Sequence, residues 1–220
     1  MPSGQRALGP DPISSRKSGS VADPPKTHSL EKLRAAAAGC RACPLWRLGT
    51  QTVFGEGREH AALLVVGEQP GDREDIEGHP FVGPAGRLLD QALRATGIPR
   101  KEVYITNAVK HFKWEPRGKR RLHKTPAQRE IEACLPWLEA ELAAVEPRVI
   151  LCLGATASRA VMGGKVRVTE LRGQTLPSPL GTQVVITVHP SSILRVSSGR
   201  EEAFVLFVRD VGKAAQLAGY

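Results

Sequence analysis

The chain has 220 residues and a formal charge of +9 at pH 7, and hydrophobic residues make up 41% of it. That length and apolar share can bury one substantial core, which excludes a wholly disordered chain. No apolar run reaches the roughly 20 residues of a membrane span, and residues 1–27 lack the apolar centre of a secretory signal, so a soluble cytoplasmic protein with no membrane partner is expected.

Residues 1–28 are rich in Pro, Ser and Gly without periodicity, and they read as a disordered tail before a single domain over 29–220. Ser29 can cap a helix from Leu30 to about Ala38, closed by Gly39. Ala61–Val66 is a short, continuous apolar strand. Pro84–Thr96 repeats Leu88, Leu89, Ala92 and Leu93 at helical spacing and stops at Gly97. Val103–Thr106 is a second strand. Thr125-Pro126-Ala127-Gln128 has the form of a capping-box start, for a helix running to about Val145. Val149–Leu153 and Val184–Val188 are two more strands, with a short helix over 155–162 between them and a closing helix over 201–217.

Continuous apolar strands separated by helices imply an α/β fold: three layers, α/β/α, around a mostly parallel sheet. Such sheets carry their working residues in loops at the carboxyl ends of the strands. Glu68, Asn107, Gly154 and His189 fall at or just past those ends. The strands were assigned from apolarity alone, so this coincidence is an independent pointer to a site. The positive excess favours a polyanionic partner, since Lys and Arg gain by releasing counterions from nucleic acid. Much of it gathers in Lys119-Arg120-Arg121-Leu122-His123, which as a bare charge run reads as a solvated loop over 117–124.

The four cysteines suit metal ligation better than disulfides in an intracellular chain. Cys40 and Cys43 form a C-x-x-C pair. Cys134 falls in a helix and Cys152 in a strand, where each could equally be a small buried hydrophobe. Four thiolates suit zinc or an iron–sulfur cluster, and spacing alone leaves both open.

Together these motifs resemble the uracil-DNA glycosylase superfamily over residues 30–217. Cys40, Cys43, Cys134 and Cys152 resemble the [4Fe–4S] ligands of its family 4 members. Gly67–Gly71 resembles that family's first active-site motif, with Gln69 where alanine is usual. His79-Pro80-Phe81-Val82-Gly83, Asn107-Ala108-Val109-Lys110 and His189-Pro190-Ser191 match its later elements. The basic segment ending at His123 is similar to the loop that defines the UdgX branch, which bonds covalently to uracil-containing DNA. Leu122 stands where that branch usually has isoleucine.

The resemblance implies a pocket for uracil extruded from the stack. Phe81 would lie against the base, and Asn107 would read its edge, since an amide can both donate and accept. Gln69 and Asp75 would help set the loop and the pocket. His189 would hydrogen-bond the departing O2, and Glu68 would supply a carboxylate near the cationic sugar. His123 would trap that cation as a nucleophile. Lys119, Arg120 and Arg121, with Ser191 and Arg195, would hold DNA phosphates. The implied partner is uracil-containing DNA, preferably single-stranded, met by a monomer. Two alternatives stand beside this reading: an ordinary turnover glycosylase, and a metal-stapled DNA-binding module without catalysis.

Overall fold

The computed structural model describes residues 21–179 and 181–220. In chain order its elements are α1 (Leu30–Ala37), β1 (Glu56–Gly57), β2 (Leu63–Gly67), α2 (Asp72–Glu77), α3 (Pro84–Ala95), β3 (Tyr104–Asn107), β4 (Trp114–Arg117), β5 (Arg120–His123), α4 (Gln128–Val145), β6 (Val149–Leu153), α5 (Gly154–Met162), α6 (Val168–Leu171), β7 (Thr175–Pro177), β8 (Gln183–Thr187), α7 (Pro190–Leu194) and α8 (Arg200–Ala218).

Six strands form one sheet in the order β1-β3-β2-β6-β8-β7. The four inner strands are parallel, and the short edge strands β1 and β7 run antiparallel to their neighbours. The inner strands are apolar throughout because both of their faces are covered. Leu64, Val66, Ile150, Cys152, Val184 and Ile186 point to a layer holding α1, α4 and α5. Leu63, Val65, Val149, Leu151 and Val185 alternate with them and meet α3, α7 and α8. This is the expected three-layer α/β/α arrangement. No helix among the described residues is long and apolar enough to cross a membrane.

After the short edge strand β1 the chain forms β2, adds β3 on one side of it and then crosses to β6 on the other. The carboxyl ends of β2 and β6 therefore flank a topological switch point, where open α/β sheets leave a crevice.

Three expectations change. The tail was expected to reach residue 28; residues 1–20 lie outside the described residues, but Ala22 is buried and its N–H donates to Ala133 O in α4 (2.9 Å). The start of α4 lies three residues beyond Thr125, with Glu130 turning back to accept from Ala127 N (2.6 Å). Residues 117–124 are mostly a β-hairpin rather than a loop. Trp114 pairs with His123 and Arg117 with Arg120, and Gly118 takes φ 60° at the first turn position, as a tight hairpin turn of this kind requires.

Candidate active site

A cavity of about 780 Å³ opens at the switch point. Glu68, Gln69, Phe81, Asn107, His123, His189, Ser191 and Arg195 all line it. They come from the ends of β2, β3 and β8, from the loop before α3, from the last residue of the hairpin, and from α7 and its C-terminal end.

Asn107 ends β3 beside Gly67 of β2. Its Oδ1 is buried without a hydrogen-bond partner. Leaving an acceptor dry and unpaired costs roughly 1–3 kcal/mol, so this atom is arranged for a donor that arrives with a ligand. Gly67 makes the arrangement possible: a Cβ there would lie 2.3 Å from Asn107 Oδ1 and 2.6 Å from Phe81 Cζ. Amide and ring thus approach each other across bare backbone. Phe81 adopts φ 56°, a left-handed conformation that is strained for a bulky residue. Neighbouring bonds hold it there. Arg100 Nη2 donates to Pro80 O (2.8 Å), and Gly83 N–H donates to Glu74 Oε1 (2.9 Å). A flat ring beside a dry amide suits a planar heterocycle with an N–H on its edge.

His189 caps α7 and packs against Phe81, ring centroids 5.9 Å apart. The Ser191 backbone N–H, which can only donate, lies 3.2 Å from His189 Nδ1. Nδ1 is therefore the acceptor, and Nε2 carries the proton of the neutral ring. Burial pushes the His189 pKa down to about 4, with the His123 and Arg195 charges acting in the same direction. The ring is thus a neutral N–H donor at physiological pH. Unfolded, the same histidine titrates near 6.5, so between about 6.5 and 4 the unfolded state binds more protons and acid favours unfolding. Burial lowers His111 and His123 as well. The melting temperature should accordingly fall as pH drops through that window, and less steeply in His189→Asn. A flat or rising profile in the unaltered protein contradicts this assignment.

Glu68 sits between two partners. Thr156 Oγ1 donates to Oε2, and His123 Nε2 lies 3.4 Å from Oε1. Partial burial lowers the His123 pKa, Glu68 opposes that shift and Arg195 adds to it. A neutral imidazole with a carboxylate beside one nitrogen can act as a base or a nucleophile.

Gln69 and Asp75 bond to the hairpin, and Arg121, expected on DNA phosphates, turns away from that role. The Gln69 amide donates to Lys113 O (3.2 Å) and Lys124 O (3.1 Å) and accepts from Lys113 N–H (3.0 Å), so it staples both strands of the hairpin stem. Asp75 is fully buried and stands apart from the cavity lining. It accepts from Thr50 N–H (2.8 Å), Thr50 Oγ1 (2.7 Å) and Arg121 Nη1 (2.5 Å). Arg121 also bonds Asp72 (2.6 Å) and lies over Phe112 and Trp114. It turns inward and anchors the hairpin, whereas Lys119 and Arg120 are exposed. A two-stranded hairpin is marginal alone; these bonds fix His123 at the cavity wall. Ser191 and Arg195 are linked, Arg195 Nη1 donating to Ser191 Oγ (3.1 Å) at the cavity's edge. Sequence reasoning missed Thr156 and Glu74. Both are ordinary helix residues whose roles arise only from what faces them across the fold.

All four cysteines are free thiols. Cys40 and Cys43 follow α1, and Cys134 lies on α4. Cys40 and Cys43 are close enough to act electrostatically on Cys134, and Cys40 on Cys43. Trp137 Nε1 donates to Cys40 Sγ (3.2 Å) and Lys110 N–H to Cys134 Sγ (3.3 Å). Burial pushes Cys134 up to about 12; it raises Cys152 too, and there no other thiol contributes. Cys40, Cys43 and Cys134 thus lie within electrostatic reach of one another, and Cys152 sits within the sheet between Val66 and Ile186. Among the described residues no group of three or more His, Cys, Asp or Glu side chains is arranged as a closed metal site.

A buried amide, a strained aromatic and a neutral histidine gather at the switch point of this sheet. The chain belongs to the uracil-DNA glycosylase superfamily: the model of that family, described as Uracil DNA glycosylase superfamily, matches residues 54–212. Among known proteins it is similar to the Type-4 uracil-DNA glycosylase of Thermotoga maritima, 43% identical over 80% of this chain and 87% of that one. It is also similar to the Type-4 enzyme of Archaeoglobus fulgidus, 34% identical over 87% of this chain and 94% of the relative. The Type-5 uracil-DNA glycosylase of Pyrobaculum aerophilum is 31% identical over 78% of this chain and 79% of its own length.

Proposed function

We propose that this chain excises uracil from DNA, preferably from single strands and as a monomer, and stays bonded to the resulting sugar through His123. The observation that carries excision is the unpaired Asn107 Oδ1, buried beside Phe81 in a cavity that also holds Glu68 and His189. Uracil N3–H supplies the missing donor. The C1′–N1 bond breaks with its electron pair leaving on uracil, and the His189 Nε2–H stabilises the charge that develops on O2. Glu68 faces the positive charge left on the sugar.

Trapping rests on the position of His123. Once the cation has formed, the electron pair on a ring nitrogen of His123 bonds to C1′, the imidazole proton passes to Glu68 or solvent, and the departed uracil anion recovers one proton. The product is protein plus DNA minus one uracil molecule. Water can attack the same carbon, which would make the chain a turnover enzyme, as the names of its Type-4 relatives suggest. Free uracil measured after incubation with uracil-containing DNA tests excision; its absence, despite DNA binding, would leave only a binding module.

Arg121 is assigned to holding the hairpin, and Lys119 and Arg120 to phosphates. Removing one member of a buried pair costs about 3–5 kcal/mol, so Arg121→Gln should sharply reduce bonded product by freeing His123. It should leave the salt dependence of DNA binding intact. Neutralising Lys119 and Arg120 should instead flatten that dependence by about two phosphate equivalents. The opposite pattern in titrations at several salt concentrations contradicts the assignment.

Cys40, Cys43 and Cys134 are proposed as thiolate ligands of a [4Fe–4S] cluster, which would staple α1 to α4. The supporting observations are their convergence and the N–H···S bonds to Cys40 and Cys134. Cys43→Ser should lose the brown colour and iron and lower the melting temperature. Cys152→Ser should keep the iron, and an iron-free Cys152→Ser protein would make that thiol a ligand.

A further inference from the structure

The cysteine-bearing loop carries a cationic feature that the cavity does not use. Arg41 and Arg47 both lie over the half-buried indole of Trp46, 4.8 and 5.2 Å from its centroid. Both arginines are exposed, and among the described residues neither has a carboxylate within ion-pair reach. Acids around the neighbouring hairpin are already taken. Asp72 is paired with Arg121, Glu77 with Arg73 and Glu115 with Lys124. The loop abuts the hairpin directly: Trp114 Nε1 donates to Leu48 O (2.8 Å), one residue after Arg47, and Trp114 is the cross-strand partner of His123. The Arg41–Trp46–Arg47 stack thus belongs to a loop bonded to the hairpin whose last residue, His123, lines the cavity.

We propose that this stack is a phosphate clamp for the strand flanking the uracil, so that one arm of single-stranded DNA runs from His123 across Trp114 onto the loop between Cys40 and Leu48. This rests on reading the chain as acting on DNA. Stacking on the indole holds each guanidinium plane in place while its N–H fork stays open, so less side-chain freedom is lost when an anion binds. Unpaired, preorganised arginines spaced along a surface are what a phosphate backbone neutralises, with release of counterions. The partner's chemistry is a polyphosphate strand, and its direction is set by the hairpin.

The test uses single-stranded oligonucleotides carrying one 2′-fluoro-2′-deoxyuridine, whose glycosidic bond resists cleavage, so that binding is read without chemistry. Three forms are compared: DNA on both sides of the uracil, and DNA truncated on either side. R41Q/R47Q should flatten the dependence of log affinity on log salt by about 1.4, at roughly 0.7 per phosphate on a single strand. One truncated form should bind the variant and the unaltered protein equally. R41K/R47K, which keeps both charges, should retain the original slope and also serves as a control on folding. An R41Q/R47Q protein with the original slope and affinity on all three oligonucleotides overturns the clamp, as does a lysine variant that loses the slope. If the unaltered protein releases no uracil, the enzymatic reading fails, while the slopes still decide whether this loop grips a strand.

Discussion

Asn107→Ala is expected to raise the barrier to uracil release by about 2–4 kcal/mol, a loss of roughly 30- to 1000-fold in single-turnover rate. The size follows from the setting. The Asn107 carbonyl oxygen is buried and has no hydrogen-bond partner within the protein, so the base edge would satisfy an acceptor that the fold leaves open. Its bond to the base edge therefore counts nearly in full. Asn107→Asp is informative as well, because a carboxylate there would repel the O4 edge that an amide N–H can meet. Release of uracil at an unchanged rate by Asn107→Ala would remove this residue from base recognition, and with it the reason for Gly67 at the adjacent position of β2.

His123→Ser is expected to eliminate the bonded complex and to convert a single turnover into repeated release of free uracil. Glu68, Phe81, Asn107 and His189 all remain, and Glu68 keeps its bond from Thr156, so the sugar cation still forms, and water reaches the carbon that the imidazole would have taken. A large fall in one product alongside a rise in the other separates a nucleophile from a merely structural histidine, whose loss would depress both. Glu68→Gln should slow both outcomes, since the cation and the imidazole lose the same carboxylate. Thr156→Ala should act in the same direction but less, because it removes only the hydroxyl that holds Glu68 Oε2.

The inner sheet was legible in the sequence because β2, β3, β6 and β8 are buried on both faces and so read as unbroken apolar runs. That same property placed Glu68, Asn107 and His189 at strand ends before any contact was known. The hairpin was hidden for the opposite reason. Its exposed strands carry Arg117, Arg120 and Arg121 in place of an apolar alternation, and only Gly118 marks the turn. Edge strands β1 and β7, two and three residues long, are too short to carry a period. The partners that set Gln69, Asp75 and Arg121 to structural work come from distant segments: Lys113 and Lys124 for the amide, Thr50 and Asp72 for the charges. Charge alone made Arg121 look like its neighbours Lys119 and Arg120; only the buried carboxylate of Asp75 distinguishes it. Cys152 carries the same ambiguity in another form. A thiol at the centre of an apolar strand looks identical in sequence whether it binds iron or packs against Val66 and Ile186, and its separation from the other three thiols appears only in the fold.

The most direct measurement of the central claim is a denaturing gel of the unaltered protein after incubation with single-stranded DNA carrying one uracil, beside the same strand carrying thymine, followed by mass spectrometry of any shifted band. A C–N bond between His123 and C1′ outlasts boiling in detergent. The account therefore predicts a shifted band with the uracil strand alone, at the mass of protein plus DNA minus one uracil molecule, and no such band for His123→Ser. Free uracil with no shifted band would make the chain a turnover glycosylase, and a shifted band that persists in His123→Ser would contradict the assignment of the nucleophile.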